Sequence, residues 1–189
     1  MNRKSRYMRK HIKKIGITIL LTCILTLSAC TNEGNLVQIS DFFAEDEFSF
    51  KAIRWNSSVD EVTLLLSDKI EVDTTREPFP QGCTLYRSKS MYNLDGKGCN
   101  PTFEFQDGGL KLVRFEFQAN AQESEWVEKQ RRDIVKLYGT ESENLERENC
   151  DLQLKTSASK WETEHTMLQF VALTDAEGET RVIIALVKK

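Results

Sequence analysis

The chain has 189 residues, 40% of them hydrophobic, with 26 basic and 29 acidic residues and a net charge of −3. Its first 29 residues hold seven of the basic residues and none of the acidic ones, so residues 30–189 carry 19 basic and 29 acidic residues and a net charge of −10. This length is enough for one domain, and the acidic balance argues against nucleic-acid binding, which needs clustered Lys and Arg to neutralise phosphate.

A basic segment opens the chain and an apolar one follows it. Seven Lys and Arg residues precede an aliphatic run from Ile15 to Leu27, and the small residues Ser28 and Ala29 come next. This layout is typical of a secretory signal. The run is too short for a transmembrane helix, which needs about 20 apolar residues. We therefore predict a signal peptide over residues 1–29 and export of the rest.

The last residues of this segment with the one that follows, Leu27-Ser28-Ala29-Cys30, resemble the lipobox of bacterial lipoproteins. The resemblance implies a diacylglyceryl thioether on Cys30, cleavage before it and acylation of the new amino terminus. One acyl chain binds a bilayer only marginally, whereas two or more attach a protein stably. We expect a protein anchored outside the cytoplasm, on the outer face of the cell membrane or, in a Gram-negative host, on the outer membrane.

The first half of the exported part contains one helix and several strands. Residues 30–47 have few aliphatic side chains, and we interpret them as a lipidated tether before a single domain over residues 48–189. Ser58 and Glu61 fit a capping box, which predicts a helix over residues 58–67. Strands are predicted over residues 84–92, 102–106 and 110–118, and Asp107-Gly108 predicts a hairpin between the last two.

The second half repeats the order of helix and strands. Asn120 and Glu123 cap a helix predicted over residues 121–138, and Gly139 occupies the position of a left-handed C-cap. Strands are predicted over residues 166–173 and 180–187. Hairpin connections imply antiparallel pairing, and the need to bury one face places both helices on one side. The predicted fold class is α+β, a two-layer sandwich with tandem halves that each begin with a helix.

Three cysteines follow Cys30, namely Cys83, Cys99 and Cys150. Disulfides persist outside the cytoplasm, and Cys83 and Cys99 flank one strand and turn, which makes them the expected pair if a disulfide forms. Cys150 would then be left over. Because its neighbours Glu148 and Asp151 disfavour a thiolate, we expect a buried or partnered side chain there and no reactive thiol.

Few residues are candidates for chemistry. His165 is the one histidine after the predicted signal, and a catalytic base or metal ligand needs partners that the sequence does not place beside it. We therefore expect a partly exposed strand residue there, no catalytic group, no metal site and no cofactor. Trp161 lies in a polar stretch, which makes it the candidate for an exposed aromatic side chain on a binding surface.

One segment, Ile53-Arg54-Trp55-Asn56-Ser57-Ser58-Val59-Asp60-Glu61-Val62, resembles the opening of repeats in the family of β-lactamase-inhibitor-like and BamE-like outer-membrane-assembly domains. In that family an aliphatic residue leads into a glycine turn, a small polar cap and a helix with valine at this spacing. Here Asn56 stands in place of the glycine, and asparagine is the next best residue for positive φ. The resemblance implies a helix-on-sheet domain that binds protein through its open sheet face or loops.

These features favour a non-enzymatic lipoprotein that contacts the membrane through lipid on Cys30 and binds another envelope or secreted protein. Nucleic acid is not an expected partner. Two alternatives stay open: an inhibitor of a secreted or envelope hydrolase, which the resemblance suggests, and an enzyme with an unrecognised site.

Overall fold

The computed structural model describes residues 35–76, 81–149 and 153–189. In these ranges the chain is mixed α+β, as predicted, with helices α1 (Val59–Leu66) and α2 (Ser124–Tyr138). The strands of the described residues are β1 (Asn35–Leu36), β2 (Phe43–Ala44), β3 (Glu47–Phe48), β4 (Ile70–Val72), β5 (Cys83–Ser88), β6 (Tyr92–Leu94), β7 (Lys97–Cys99), β8 (Thr102–Gln106), β9 (Gly109–Ala119), β10 (Glu143–Asn149), β11 (Leu154–Glu162), β12 (Thr166–Thr174) and β13 (Thr180–Lys188).

Eight strands form one antiparallel sheet in the order β10-β11-β12-β13-β9-β8-β5-β4. The sheet consists of two meanders of four strands, and β13 pairs with β9 where they meet. Helix α1 precedes the first meander and α2 precedes the second. The predicted order of a helix followed by strands, repeated once, is therefore confirmed.

Helix α1 begins where its capping residues predict. The backbone N–H of Glu61 donates to Ser58 Oγ at 3.3 Å, and the backbone N–H of Ser58 donates to the Glu61 carboxylate at 2.7 Å. Asn56 has a positive φ of 64°, as expected for a residue in the place of glycine. A Cβ on Gly109 would lie 3.1 Å from Asn56 Cα, so the absence of a side chain allows β9 to start against this turn.

Helix α2 also begins at its predicted cap, where the backbone N–H of Gln122 donates to Asn120 Oδ1 at 3.0 Å. Its first turn, Ala121–Glu123, is a 3-10 helix, and the α-helix follows from Ser124. Gly139 ends the helix with φ 83° and ψ −169°, which differs from the predicted left-handed conformation. Only glycine adopts that backbone region without strain.

Two residues, Asp107 and Gly108, form the turn of the hairpin between β8 and β9. Asp107 and Gly108 have φ values of 52° and 82°, and positive φ at both central residues is the mark of a type I′ turn, whose twist matches that of the flanking strands. Thr102–Gln106 is the strand that the sequence predicts over residues 102–106.

The core lies between one face of the sheet, here called the inner face, and a layer of helices and amino-terminal turns. Phe115 on β9 is fully buried, with its ring centroid 5.0 Å from that of Phe42 and 4.9 Å from that of Phe50. Val62 of α1 and Ile134 of α2 belong to the same core, so both helices pack on one side.

The domain begins earlier than predicted. The compact unit starts at residue 34, not at 48, and Val37, Ile39 and Phe42 are buried in the core. The hydroxyl of Tyr138 on α2 donates to the backbone carbonyl of Ile39. The tether prediction for residues 30–47 is wrong over its described part, because the few apolar residues there are placed by a short 3-10 turn and two two-residue strands, which leave no periodic pattern.

Candidate functional site

The predicted anchor lies outside the described residues, because the signal segment and Cys30 precede residue 35. Cys150 also lies outside them. Among the residues that the structure describes, no helix is long and apolar enough to cross a membrane.

Cys83 and Cys99 are free thiols in the structure. Cys83 pairs with Gln106, which faces Gly109 at the start of β9, whereas the thiol of Cys99 meets the backbone of Glu116. Seven residues of β9 separate these two points, or about 20 Å of strand, while a disulfide needs Cα atoms within about 7 Å. The expected pairing is therefore not formed. Burial raises the pKa of Cys99 to about 12, which keeps it a protonated core side chain.

Trp161 is buried, with only 3% of its surface exposed, so the prediction of an exposed binding aromatic is wrong. Its Nε1–H donates to the carbonyl of Gly139 at 2.9 Å. The polar neighbours misled the prediction because Lys160 and Glu162, adjacent in the chain, lie on the opposite side of the strand. Ser159, on the same side as Trp161, is also buried and accepts a hydrogen bond from Arg131 at 3.2 Å.

His165 lies in the turn between β11 and β12 with 62% of its side chain exposed, and its Nε2 is 3.8 Å from a carboxylate oxygen of Glu164. The ranges that the structure describes contain no group of three or more His, Cys, Asp or Glu side chains placed to hold a metal ion. His165 is thus a solvent-facing turn residue beside one carboxylate.

Two buried carboxylates sit beside β5, and both have partners. Burial by itself would raise the pKa of Asp73, but hydrogen bonds from Thr75 and Arg87 outweigh it and lower that pKa to about 2. Asp68 accepts hydrogen bonds from the hydroxyls of Ser88 and Ser90. Because the carboxylates are held by strand residues, they stabilise the edge of the sheet and do not present a reactive group.

A groove of about 680 Å³ lies between the start of α2 and the inner face of β10 to β12. Three carboxylates, Glu128, Glu146 and Glu148, share its walls with the two cations Arg147 and Lys155. Lys155 lies 3.9 Å from Glu148. The groove is wide, and its lining mixes hydroxyls and charges with the apolar residues Ala121, Val127 and Ala172. Among the residues that the structure describes, none of its lining side chains is a histidine or a cysteine.

The opposite side of the sheet carries two rows of apolar side chains outside the core. Strand registers align Leu145, Ala158, Val171 and Ile183 in one row, and Met167, Val187 and Leu112 in the other. None belongs to the core cluster, and all keep solvent exposure. We call this surface the open face, defined by these seven residues: Leu112, Leu145, Ala158, Met167, Val171, Ile183 and Val187.

A shallow depression interrupts the first row at its smallest member. Ala158 lies between the larger Leu145 and Val171, and with Lys160 and Gln169 these residues surround about 150 Å³. The depression is mostly apolar and could hold one apolar side chain.

Charged side chains of both signs border the open face and pair with each other. Lys160 bonds Glu143 at 2.8 Å and lies 3.7 Å from Glu162, while Arg181 lies 3.6 Å from Glu116. The open face is thus apolar with a balanced rim on an acidic molecule.

Sequence reasoning missed the β10 part of this face. Glu143–Asn149 is exposed on both sides, so no alternation of apolar and polar residues marks it as a strand. Only the weak alternation near residue 154 and the exposed Leu145 could have signalled it.

Comparison of the chain with protein-family models, with curated protein sequences and with solved structures finds no match. The family resemblance of residues 53–62 therefore stays a prediction.

Proposed function

We propose that this protein is an extracytoplasmic, lipid-anchored module that binds another protein through its open face and catalyses no reaction. The observation that carries the proposal is the two rows of apolar side chains that face away from the core. Full burial of one exposed Val, Leu, Ile or Met side chain stabilises by about 1.5–3 kcal/mol. A partner that covers both rows therefore gains binding free energy from apolar surface that is in contact with water in the protein alone.

The shape and rim of the open face suit a folded protein surface. Five hydrogen-bonded strands, at about 4.8 Å each, give a sheet about 20 Å wide with backbone that is already ordered. A preordered surface lowers the entropic cost of binding. The ion pairs at the rim, such as that between Arg181 and Glu116, offer charges that fix the orientation of a partner.

Site-specific photo-cross-linking in the native host tests the face. A benzophenone amino acid is placed at Val171 or at Ile183, which are neighbours in the first row. The matched control is Leu64 on α1, which is 81% exposed and lies outside the open face. We expect the same protein adduct from both open-face positions and not from position 64.

Identical adducts at all three positions, or none at positions 171 and 183, would refute a binding role for this face. A hydrolase in the specific adduct would favour the inhibitor alternative. An assay of that hydrolase with and without the protein would then decide whether binding inhibits it.

The anchor is a separate part of the proposal, supported by Leu27-Ser28-Ala29-Cys30 at the end of an apolar run. Cys30→Ala removes the only sulfur that the lipid could use there. We expect wild-type protein to incorporate an alkyne-labelled fatty acid and to sediment with membranes, and the variant to lose the label. Cys83→Ala is the control and should keep it, whereas labelling that survives Cys30→Ala would exclude this anchor.

A further inference from the structure

Strand β10 forms one edge of the eight-stranded sheet in the described part of the chain. Strand β10 is the first strand in the sheet order, and no other strand of the described ranges pairs with its far side. It has seven residues, whereas β4 at the other end has three. A strand edge of this length offers backbone donors and acceptors that match another extended strand.

The side chains of β10 are self-complementary in one antiparallel register. If Leu145 faces its own copy across a two-fold axis, Glu143 faces Arg147 of the second copy, and Asn144 faces Glu146. Opposite charges in directly opposed positions stabilise a strand pair, and like charges destabilise it. Among the described residues Arg147 forms no ion pair within its own chain, and in this register it meets Glu143 of the second copy, which also bonds Lys160 at 2.8 Å.

Neighbouring registers are worse. With a two-fold axis perpendicular to the sheet, residues that face each other must lie on the same face. The axis must therefore pass through a residue, and moving it by one residue changes the partner of every residue by two positions. Centring the axis on Glu146 opposes that carboxylate with itself, and centring it on Arg147 opposes two guanidinium groups. The register centred on Leu145 alone joins an apolar pair to two pairs of opposite charge.

The same register makes the open face continuous. The first row ends at Leu145, so a second copy extends it by Leu145, Ala158, Val171 and Ile183 of that copy. Eight apolar side chains then run across two molecules over about 34 Å, at about 4.8 Å per strand. The apolar row is therefore twice as long on two copies as on one, which brings the surface closer to the about 800 Å² that a standard interface buries on each partner.

We propose that two copies of this chain pair antiparallel through β10, with Leu145 on the two-fold axis, to form a continuous sixteen-stranded sheet. The pairing enlarges the open face on which the proposed function rests. It does not depend on that function, because the charge complementarity that supports it lies within β10. Loss of the dimer with intact cross-linking at Val171 would overturn only this proposal.

Disulfide trapping of the full chain in intact cells tests the pairing and its register. All variants carry Cys150→Ser, because that cysteine follows β10 directly. Leu145→Cys places two thiols opposite each other on the axis, and mild oxidation is expected to yield a covalent dimer at least ten-fold above the parent. Asn149→Cys, on the same strand and face, lies about 26 Å from its own copy and should stay at the parent level.

Two mixed variants fix the register. Glu143→Cys and Arg147→Cys, produced together with different tags, should form the mixed dimer, while each alone should not dimerise. Arg147→Glu in the Leu145→Cys background opposes two carboxylates and should lower trapping several-fold, whereas Arg132→Glu on the exposed side of α2 should leave it unchanged.

Equal trapping of Leu145→Cys and Asn149→Cys would indicate random collision and overturn the proposal, as would no trapping of Leu145→Cys. Thermal melts of the reduced variants verify that each is folded. Position 145 is at an edge and 36% exposed, so the substitution leaves the core intact.

Discussion

Asp73 keeps its charge at a buried position because Arg87 and Thr75 donate to it. Arg87 bonds one carboxylate oxygen through two nitrogens, at 2.7 and 3.0 Å, and Thr75 bonds the other through its backbone at 3.0 Å. These donors bind the ionised form more strongly than the protonated form. The carboxylate therefore contributes to stability only while it is charged.

We predict a specific acid dependence from this residue. Its folded pKa, about 2, lies below the ordinary value of 3.8, so the contribution is present above pH about 4 and is lost as the pH falls towards 2, by about 2 kcal/mol. Asp73→Asn should remove this part of the dependence. Urea unfolding of both proteins between pH 2 and 6 measures it, and identical slopes would contradict the prediction.

Trp161 shows why single residues are hard to place from sequence. Its neighbours in the chain are polar, but a strand alternates its faces, so the side chains that share its environment are two residues away. Ser159 lies two residues before Trp161 and Ser157 four residues before it, and both face α2, where small polar side chains leave room for Arg131. The polar residues around Trp161 in the sequence therefore did not indicate that its side chain is exposed to solvent.

Helix α1 is short and contacts the core through Val59, Val62 and Leu66, of which Val62 is the buried one. Val62 is fully buried, while Leu64 two residues later is 81% exposed. We predict that Val62→Ala lowers the free energy of unfolding by about 2 kcal/mol, because it removes buried methyl groups and leaves a cavity. Leu64→Ala should change it by less than about 0.5 kcal/mol. Denaturant unfolding of the two variants compares them directly.

The elements that sequence predicts well are those with local signals. The Asp107-Gly108 turn and the Ser58 and Glu61 cap need only nearby atoms, and both form as expected. Strand β10 has no local signal, since its pairing with β11 joins two polar segments through their backbones. The open face depends on that pairing, and so its extent could not be read from the sequence.

At the scale of the whole molecule, the amino-terminal segment is part of the core. Val37, Ile39 and Phe42 are at most 5% exposed, and together they account for roughly 5–9 kcal/mol of burial. This equals much of the 5–15 kcal/mol by which domains are stable. We predict that a chain beginning at residue 48 loses its cooperative thermal transition, while one beginning at residue 34 keeps it. A cooperative melt from the shorter chain would show that this segment is dispensable.

The fold class could be predicted because helix and hairpin signals repeat in the same order. The order of strands could not, because it depends on one distant pair: β13 lies beside β9, although more than sixty residues separate Gly109 from Thr180. No sequence pattern near Thr180 indicates which strand β13 pairs with. Only the completed core, which places Ile184 opposite Phe115, selects it.

That central position of β13 has a consequence for synthesis. A nascent chain that has not yet produced Thr180–Lys188 holds two separate meanders with no strand to join them. The continuous eight-stranded sheet therefore assembles only after β13 has been synthesised, because β13 connects β12 to β9.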